Sequence, residues 1–484
     1  MSPERCEYDD YVLSLAADDE MGRAVSFEGN LGVFGAHRDD EGGDFAGAVF
    51  LFDLQTGEQT GKLIASDPGT FDGFGQNVGI SNNTIIVASP LNDIDGERVG
   101  SAYLFNATTG VEITKLTSPT PHADDRFGFD VGVHGSTAIV TAAAESTVGD
   151  GFGAAYLFDV ATPGQMTRIT ASDAASARSF GWSVAMDDTR ALVGAPNTDG
   201  GGAAYVFDTS TSQELLKLTA SDRETGDSFG ISVALSGNVA IVGAYNDDGG
   251  GSENGAAYLF DLKTGTQLHK LTASDRNSQD DFGASVGILG NIAIVGAPHD
   301  DSTSSSTGSA YLFDVATGIQ LGKLTSSDQF TSGWFGYSVA LKDNVALIGA
   351  PRDWEGDVDA GAVFMFEVPV GSYTVGDTNF DGTVNALDLA TLADNWLGET
   401  PGGASQGDFN GDAIVNALDL SILANNWLAT AAGGEVGFDD AAAAVGLAGV
   451  PEPSSVVLLG GACALNLARR RPGRRRLRDA DFRR

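Results

Sequence analysis

A Phe-Gly pair, replaced once by Met-Gly, recurs seven times along the chain, at Met21-Gly22, Phe74-Gly75, Phe127-Gly128, Phe180-Gly181, Phe229-Gly230, Phe282-Gly283 and Phe335-Gly336. The spacing is 53 residues except for one interval of 49. Repeats of that length with four short strands each predict blades of a β-propeller, because a single blade cannot bury both of its faces and must stack on neighbours. The expected fold is therefore mainly β: a seven-bladed β-propeller over residues 11–370.

The fifth repeat reads strand by strand. Phe229–Leu235 is an inner strand, Asn238–Ala244 a nearly continuous apolar one, Gly255–Leu262 a third and Gln267–Ala273 an alternating outer edge. Ser236-Gly237-Asn238 and Lys263-Thr264-Gly265 supply the residues that tight hairpins need. The seventh repeat stops after Gly361–Val368 without an outer strand, whereas Tyr11–Asp18 precedes the first repeat and resembles one. The N-terminal strand is thus expected to close the last blade and to leave no free sheet edge.

Up-and-down blades place the loops before the first strand and between the second and third on one face. Those loops hold Asp67, Asp72, Asp124, Asp125, Asp222, Asp227, Asp275, Asp280 and Asp281, and also Asp39, Asp40, Asp93, Asp95, Asp247, Asp248, Asp300, Asp301, Asp353, Asp357 and Asp359. One face is expected to be strongly anionic and the other to consist mostly of turns. The formal charge of the 484 residues is −39, and residues 1–468 alone carry 18 basic against 64 acidic side chains. Nucleic acid is excluded as a partner, since it would meet like charge everywhere outside the tail. Divalent cations, neutral glycans or matrix proteins fit better, and acidity alone also keeps a secreted protein soluble. Cys6 and Cys463 stand outside the blades, so no disulfide framework follows. Residues 1–10 form an N-terminal extension with no apolar stretch, so no export signal is visible there.

Together with Phe-Gly at each blade start, Gly-Ala-Pro follows the second strand at Gly194-Ala195-Pro196, Gly296-Ala297-Pro298 and Gly349-Ala350-Pro351. These repeats resemble the FG-GAP family, the propeller repeats of integrin α-subunits and many bacterial surface proteins. The resemblance implies a monomeric propeller that presents a ligand face. Calcium-binding members carry Asp-x-Asp-x-Asp-Gly between the first two strands, where this chain has short turns such as Gly237-Asn238 and Gly290-Asn291. Calcium sites within the blades are therefore not carried over.

The ligand spacing for calcium occurs elsewhere. Gly376–Leu389 reads GDTNFDGTVNALDL and Gly407–Leu420 reads GDFNGDAIVNALDL, the same pattern shifted by 31 residues. Asp377, Asn379, Asp381, Thr383 through its carbonyl, Asn385 and Asp388 take positions 1, 3, 5, 7, 9 and 12 of the first loop. Asp408, Asn410, Asp412, Ile414 through its carbonyl, Asn416 and Asp419 do so in the second. Oxygen ligands alternate because every second side chain of a tight loop points inward around the ion. Each loop runs into an amphipathic helix, Leu387–Leu397 and Leu418–Leu428.

This duplicated loop and helix, over residues 375–429, resembles a type I dockerin. The resemblance implies a small α-helical domain folded around two Ca²⁺ ions, and a cohesin-like partner in a polysaccharide-degrading assembly. Ala413 replaces the turn glycine of the second loop, which weakens that site by about 1 kcal/mol where positive φ is needed. Ala386-Leu387 and Ala417-Leu418 stand where dockerins usually carry a Ser/Thr recognition pair, so the cohesin expected is not of the best-known type.

After a Gly/Ala-rich linker over residues 430–449, residues 450–484 run from Val450-Pro451-Glu452-Pro453 through the apolar span Ser455–Ala468 to an arginine cluster starting at Arg469. That order resembles a PEP-CTERM sorting signal, which implies an exosortase-type processing enzyme and export to the cell surface or beyond. The apolar span, about 21 Å long as a helix, falls short of a ~30 Å hydrocarbon core and suits only transient or weak membrane association.

No catalytic constellation stands out. Gly283-Ala284-Ser285-Val286-Gly287 fits a nucleophile elbow, but Ser183, Ser232 and Ser338 occupy the same slot in other blades, so Ser285 is read as a strand residue. His37 and His299, in the loops after the second strand, are not read as a metal pair. Trp182 and Trp334 are read as core residues, and Trp354 as a candidate for stacking on sugars. The function expected is a non-enzymatic extracellular binding protein; the alternative is a polysaccharide-degrading hydrolase or lyase acting on the acidic face.

Overall fold

A computed structural model of the chain describes residues 19–94, 96–145, 152–174, 177–248, 254–300, 307–326, 333–353 and 360–368, and beyond them 384, 386–396, 407, 414–416, 419–420 and 422–423. Six four-stranded antiparallel sheets and a three-stranded seventh follow one another, each strand pairing with its chain neighbour in the blade. A short hairpin, Asp93–Ile94 with Glu97–Arg98, decorates the second blade. The seventh blade comprises Ser338–Lys342, Val345–Ala350 and Ala362–Glu367. Tyr11–Asp18, the strand expected to complete it, lies outside the described residues.

In the fifth blade the strands are Val233–Ser236, Val239–Ala244, Ala256–Asp261 and Thr266–Leu271. Regular pairing begins only at Val233, later than the reading from Phe229. The delay has a backbone cause. Ser228 (φ 61°) and Gly230 (φ 96°) are both left-handed, which turns Phe229 away from its own sheet and into a parallel bridge with Gly202 of the fourth blade. Gly230 is required twice over, since a Cβ there would also stand 2.4 Å from the Ala203 carbonyl oxygen.

The Phe side chain that this step buries is the wedge between blades. Phe229 packs against Tyr258 and Phe260 at ring separations of 5.5 and 5.7 Å, in edge-on geometry for Phe260, inside an apolar cluster with Leu192, Ala204 and Leu218 of the preceding blade. Each interface around the ring has such a cluster. The innermost strands also touch in ring order, first against last included.

Polar stitches accompany the wedges. The Ser183, Ser232 and Ser285 hydroxyls donate to the carbonyls of Gly230, Gly283 and Gly336 in the next blade at 2.7–2.9 Å. Ser285, the serine of the elbow-like motif, is thus a link between blades. Ser338 makes the same bond to Gly22 (2.8 Å), and Met21 N–H donates to the Ala360 carbonyl (3.1 Å). Met21, Phe34 and Phe52 bury against Leu347 and Val363. The first blade therefore follows the seventh by the contacts that join every other pair, and the ring closes at seven.

Toward the C-terminus, Ala386–Asp394 is helical with Asp388 in its first turn, where a carboxylate complements the partial positive charge of the helix end. Asp419, Leu420, Ile422 and Leu423 are helical as well, within the second expected helix. Val384, Leu389, Leu392, Val415, Leu420 and Leu423 are buried in a cluster continuous with blades six and seven. Leu321, in the outer strand of blade six, belongs to it and is 1% exposed, whereas its counterparts Leu215 and Leu268 are 50% and 42% exposed. Blade six is thus covered on a side that blades four and five leave to water.

Gly230→Ala should lower the urea midpoint strongly, by the equivalent of about 3 kcal/mol or more, because backbone clash adds to φ strain. Gly237→Ala is expected to cost only about 1 kcal/mol, since Gly237 (φ 55°) has nothing within 4 Å of an added Cβ. Equal losses at the two positions would refute the close approach as the reason for glycine.

Candidate functional site

The loop face that carries the acidic residues is less anionic than its composition suggests. Asp72, Asp125, Asp227 and Asp280 are buried and accept the backbone N–H three residues earlier, from Gly69, His122, Glu224 and Asn277, at 2.5–2.9 Å. They shape the loops that enter each blade.

A second set is paired within the blades. In blade five, the Tyr258 hydroxyl donates to Asp222 (3.0 Å) and Asp247, and Lys270 Nζ lies 2.8 Å from both carboxylates and 5.3 Å from the Tyr258 ring centre. Blade six repeats this with Tyr311, Asp275, Asp300 and Lys323. Blade two uses Tyr103, Asp67, Asn92 and Lys115, and blade four Tyr205, Asp173 and Lys217. Blade three substitutes Glu145 and Arg168 around Tyr156, while blade one sets Lys62 between Asp39 and Glu41. Burial alone would lower the Lys270 pKa, but the two aspartates outweigh it and raise it; the same lysine, against burial, holds Asp222 below its ordinary 3.8. Both ions therefore stay charged through the neutral range. Burial, then Asp247 and Asp222, push the Tyr258 hydroxyl far up, so it remains a donor.

Sequence reasoning counted these aspartates as surface charge and missed the Tyr and Lys that hold them. The signal was present, since Tyr stands in the third strand and Lys in the outer strand at the same place in successive repeats.

At the centre of this face a cavity of about 530 Å³ opens, walled by the innermost strands of all seven blades. Its mouth carries Arg23, Gln76, Phe129, Trp182, Ile231 and Tyr337, each directly after a Phe-Gly or Met-Gly pair. The residue before each pair is left-handed: Glu20, Gly73, Arg126, Ser179, Ser228, Asp281 and Trp334, with φ between 52° and 65°. Six of the seven are not glycine, so the backbone is strained at every junction but one. Trp182 belongs to this rim and packs on Phe129 (4.8 Å), while Trp334 packs on Tyr337 (5.9 Å); both are half-buried, not core residues as expected. Trp354 lies outside the described residues. His299 is held by Asp281 (2.6 Å), whereas His37 lies 3.7 Å from Glu20, beyond hydrogen-bond distance.

Asp130 sits in the channel wall and accepts N–H bonds from Val131 (2.8 Å) and Val184 of the next blade (2.7 Å). Burial raises its pKa to about 7 against the pull of those two bonds.

Of the twelve calcium-loop residues, Asp388, Ile414, Asn416 and Asp419 are described, whereas Asp377, Asn379, Asp381, Thr383, Asn385, Asp408, Asn410 and Asp412 lie outside the described residues. Asp388 and Asp419, which close the two loops, are both fully buried, and Asn416 N–H donates to Asp419 (2.9 Å). Carboxylates withdrawn from water are kept only where donors or a cation compensate them, so their burial fits a metal-loop role.

A closed seven-bladed propeller followed by a short helical module defines the class. The chain belongs to the FG-GAP repeat family, whose model matches residues 58–105, 111–158, 163–207, 213–260, 266–313 and 319–366, together more than half of the chain. A dockerin type I domain model matches residues 375–428. No curated protein matches the chain. Dockerins of this type bind calcium and cohesins, so FG-GAP repeats with a dockerin make this an extracellular or cell-surface docking or binding protein with a cohesin-like partner. No helix among the described residues is long and apolar enough to cross a membrane.

Lys270→Met should lower stability by about 1–2 kcal/mol, since two carboxylates are left facing one hydroxyl at a partly exposed site. Adding Asp247→Asn, the residue type that blade two carries at Asn92, should recover part of the loss; no recovery in a double-mutant cycle would show the cluster is not coupled. Asp130 has a raised folded pKa, so the native state holds a proton that the unfolded chain releases, and stability falls as pH rises from about 4 to about 7. Asp130→Asn should remove that slope, read as the difference in urea midpoint between variant and parent across the window.

Proposed function

We propose that this is an exported, non-enzymatic binding protein whose propeller holds a glycan or matrix protein on its loop face while the dockerin module attaches it to a cohesin-like partner. The observation that carries the reading is the aromatic-rimmed cavity on that face, with Phe129, Trp182 and Tyr337 at its mouth. Concave sites walled by aromatic side chains with few polar groups are the usual form of ligand sites. The loop-face carboxylates of blades five and six are engaged in the Tyr–Lys clusters, and the two that line the cavity, Asp130 and Asp281, are held by backbone N–H groups and by His299.

In the dockerin module, Asp377, Asn379, Asp381, Thr383, Asn385 and Asp388 would hold one Ca²⁺, and Asp408, Asn410, Asp412, Ile414, Asn416 and Asp419 a second, weaker one for want of a turn glycine at Ala413. Calcium would supply no chemistry beyond ordering the two loops and their helices. The C-terminal segment 450–484 would be read by a sorting enzyme of the exosortase type, with weak membrane association on the way out.

Calorimetric titration of the full-length, chelator-stripped chain with CaCl₂ should show two sites of unequal affinity and a change in tryptophan emission from the half-buried Trp396. Asp388→Ala should abolish the tighter site. One site, or none, would sink the paired-loop assignment. On glycan and matrix-protein arrays the loaded chain should retain ligand without releasing reducing ends or unsaturated sugars; turnover of a retained glycan would favour the enzyme.

A further inference from the structure

A basic patch interrupts the acidic surface where blades seven and one meet at the cavity mouth. Arg352 lies 3.8 Å from the Trp334 ring centre, Arg23 4.7 Å from that of Tyr337, and Arg38 5.5 Å from that of Phe45, so each guanidinium rests on an aromatic face. Glu20, aimed by its left-handed backbone, lies 2.8 Å from Arg38 and 3.8 Å from Arg352, while Arg23 makes no ion pair among the described residues. His37 adds no charge, because burial and then Arg23 and Arg38 hold its pKa down at about 3. Among the described residues these guanidiniums make ion pairs with one carboxylate, Glu20, which leaves guanidinium donors over for a ligand. The Arg38 and Arg352 side chains are 40% and 38% exposed, so these groups reach solvent.

Beside Arg38 stands an open aromatic surface. Phe71, 49% exposed, stacks on Phe45 at 5.3 Å, and both hold left-handed backbones (66° and 53°). A half-exposed ring on a strained backbone presents its open face to a ligand.

We propose that the mouth between blades seven and one binds a glycan through a uronic acid residue, its carboxylate held by Arg23, Arg38 and Arg352 and its sugar ring laid on Phe71. This rests on the binding-module reading above and names its site and ligand class. Guanidinium forks match carboxylates in shape and charge, and an exposed ring matches the apolar face of a sugar. The formal charge of −39 disfavours densely charged polyanions and acidic proteins, whereas one carboxylate on a neutral sugar body needs only the three clustered guanidiniums.

The test is calorimetry of the full-length, calcium-loaded chain with a uronic acid oligosaccharide and with its methyl ester, which keeps the ring and loses the charge. The acid should bind about tenfold tighter than the ester or better at low salt, and high salt should shrink the gap. Arg23→Gln and Arg352→Asn place there the residue types that blades two and five carry at Gln76 and Asn246, so both should fold with unchanged unfolding midpoints yet lose the preference for the acid. Phe71→Gly, which introduces the residue type that blade five carries at Gly226, should weaken acid and ester alike. Equal affinity for acid and ester, a preference that survives both arginine changes, or tighter binding of an acidic peptide would overturn the proposal. Retention of neutral glycans without preference for the acid would do so while leaving the binding-module reading intact. Retention of no glycan at all would also remove the site, and the matrix-protein array would then decide the broader reading.

Discussion

Backbone proximity between blades is the constraint on which the rest of the molecule depends. At each junction a left-handed residue and a Phe-Gly pair let one chain segment cross under the next, with the glycine close to a neighbouring carbonyl and the ring wedged into the interface. Non-glycine residues in that conformation cost about 1–2 kcal/mol apiece, and aromatic burial at the same step offsets it. Because the inner strand starts just past the wedge, the residue after each pair is delivered to the rim of the central cavity, as at Arg23, Gln76, Trp182 and Tyr337. Architecture and ligand face are thus set by one local device.

Charge is handled blade by blade. A protein with so many carboxylates would repel itself if all of them faced water, but most aspartates of the loop face are tied to backbone N–H groups or to a tyrosine and a lysine of the same blade. These clusters fasten the loop entering a blade to that blade's third and outer strands, so they act as electrostatic pins for the turns that frame the cavity. Where the pattern changes, at the first and seventh blades, Phe50 and Phe364 replace the tyrosine and arginines collect at the rim. The irregular blades are therefore the ones with surface charge to offer.

Much of this is legible along the chain. Spacing alone predicts the number of blades, and the hairpin glycines Gly237 and Gly265 fall where turns are expected, with φ of 55° and 72°. Alternating Asp and Asn point to the dockerin loops, and a dockerin model matches that segment. Other features leave no readable trace. The inner strand of blade five begins later than apolar patterning suggests because a left-handed step has no hydrophobic signature. Hydrophobicity alone points Trp182 to the core, since it cannot distinguish an interface from a channel rim. The Tyr–Lys–Asp clusters escape because their members are far apart in sequence, as with Asp222 and Lys270, which are 48 residues apart.

By itself the amino-acid sequence determined the repeating unit, the turn chemistry and the paired calcium-loop pattern, because each of these depends on residues within one period of the chain. Tertiary structure alone decided which carboxylates are paired, which aromatics line the opening and which arginines share a corner. Ring closure is the physical reason: it brings Ser338 to Gly22 across 316 positions, and Arg352 to Glu20 beside it, so that charges from opposite ends of the propeller act on one another at contact distance.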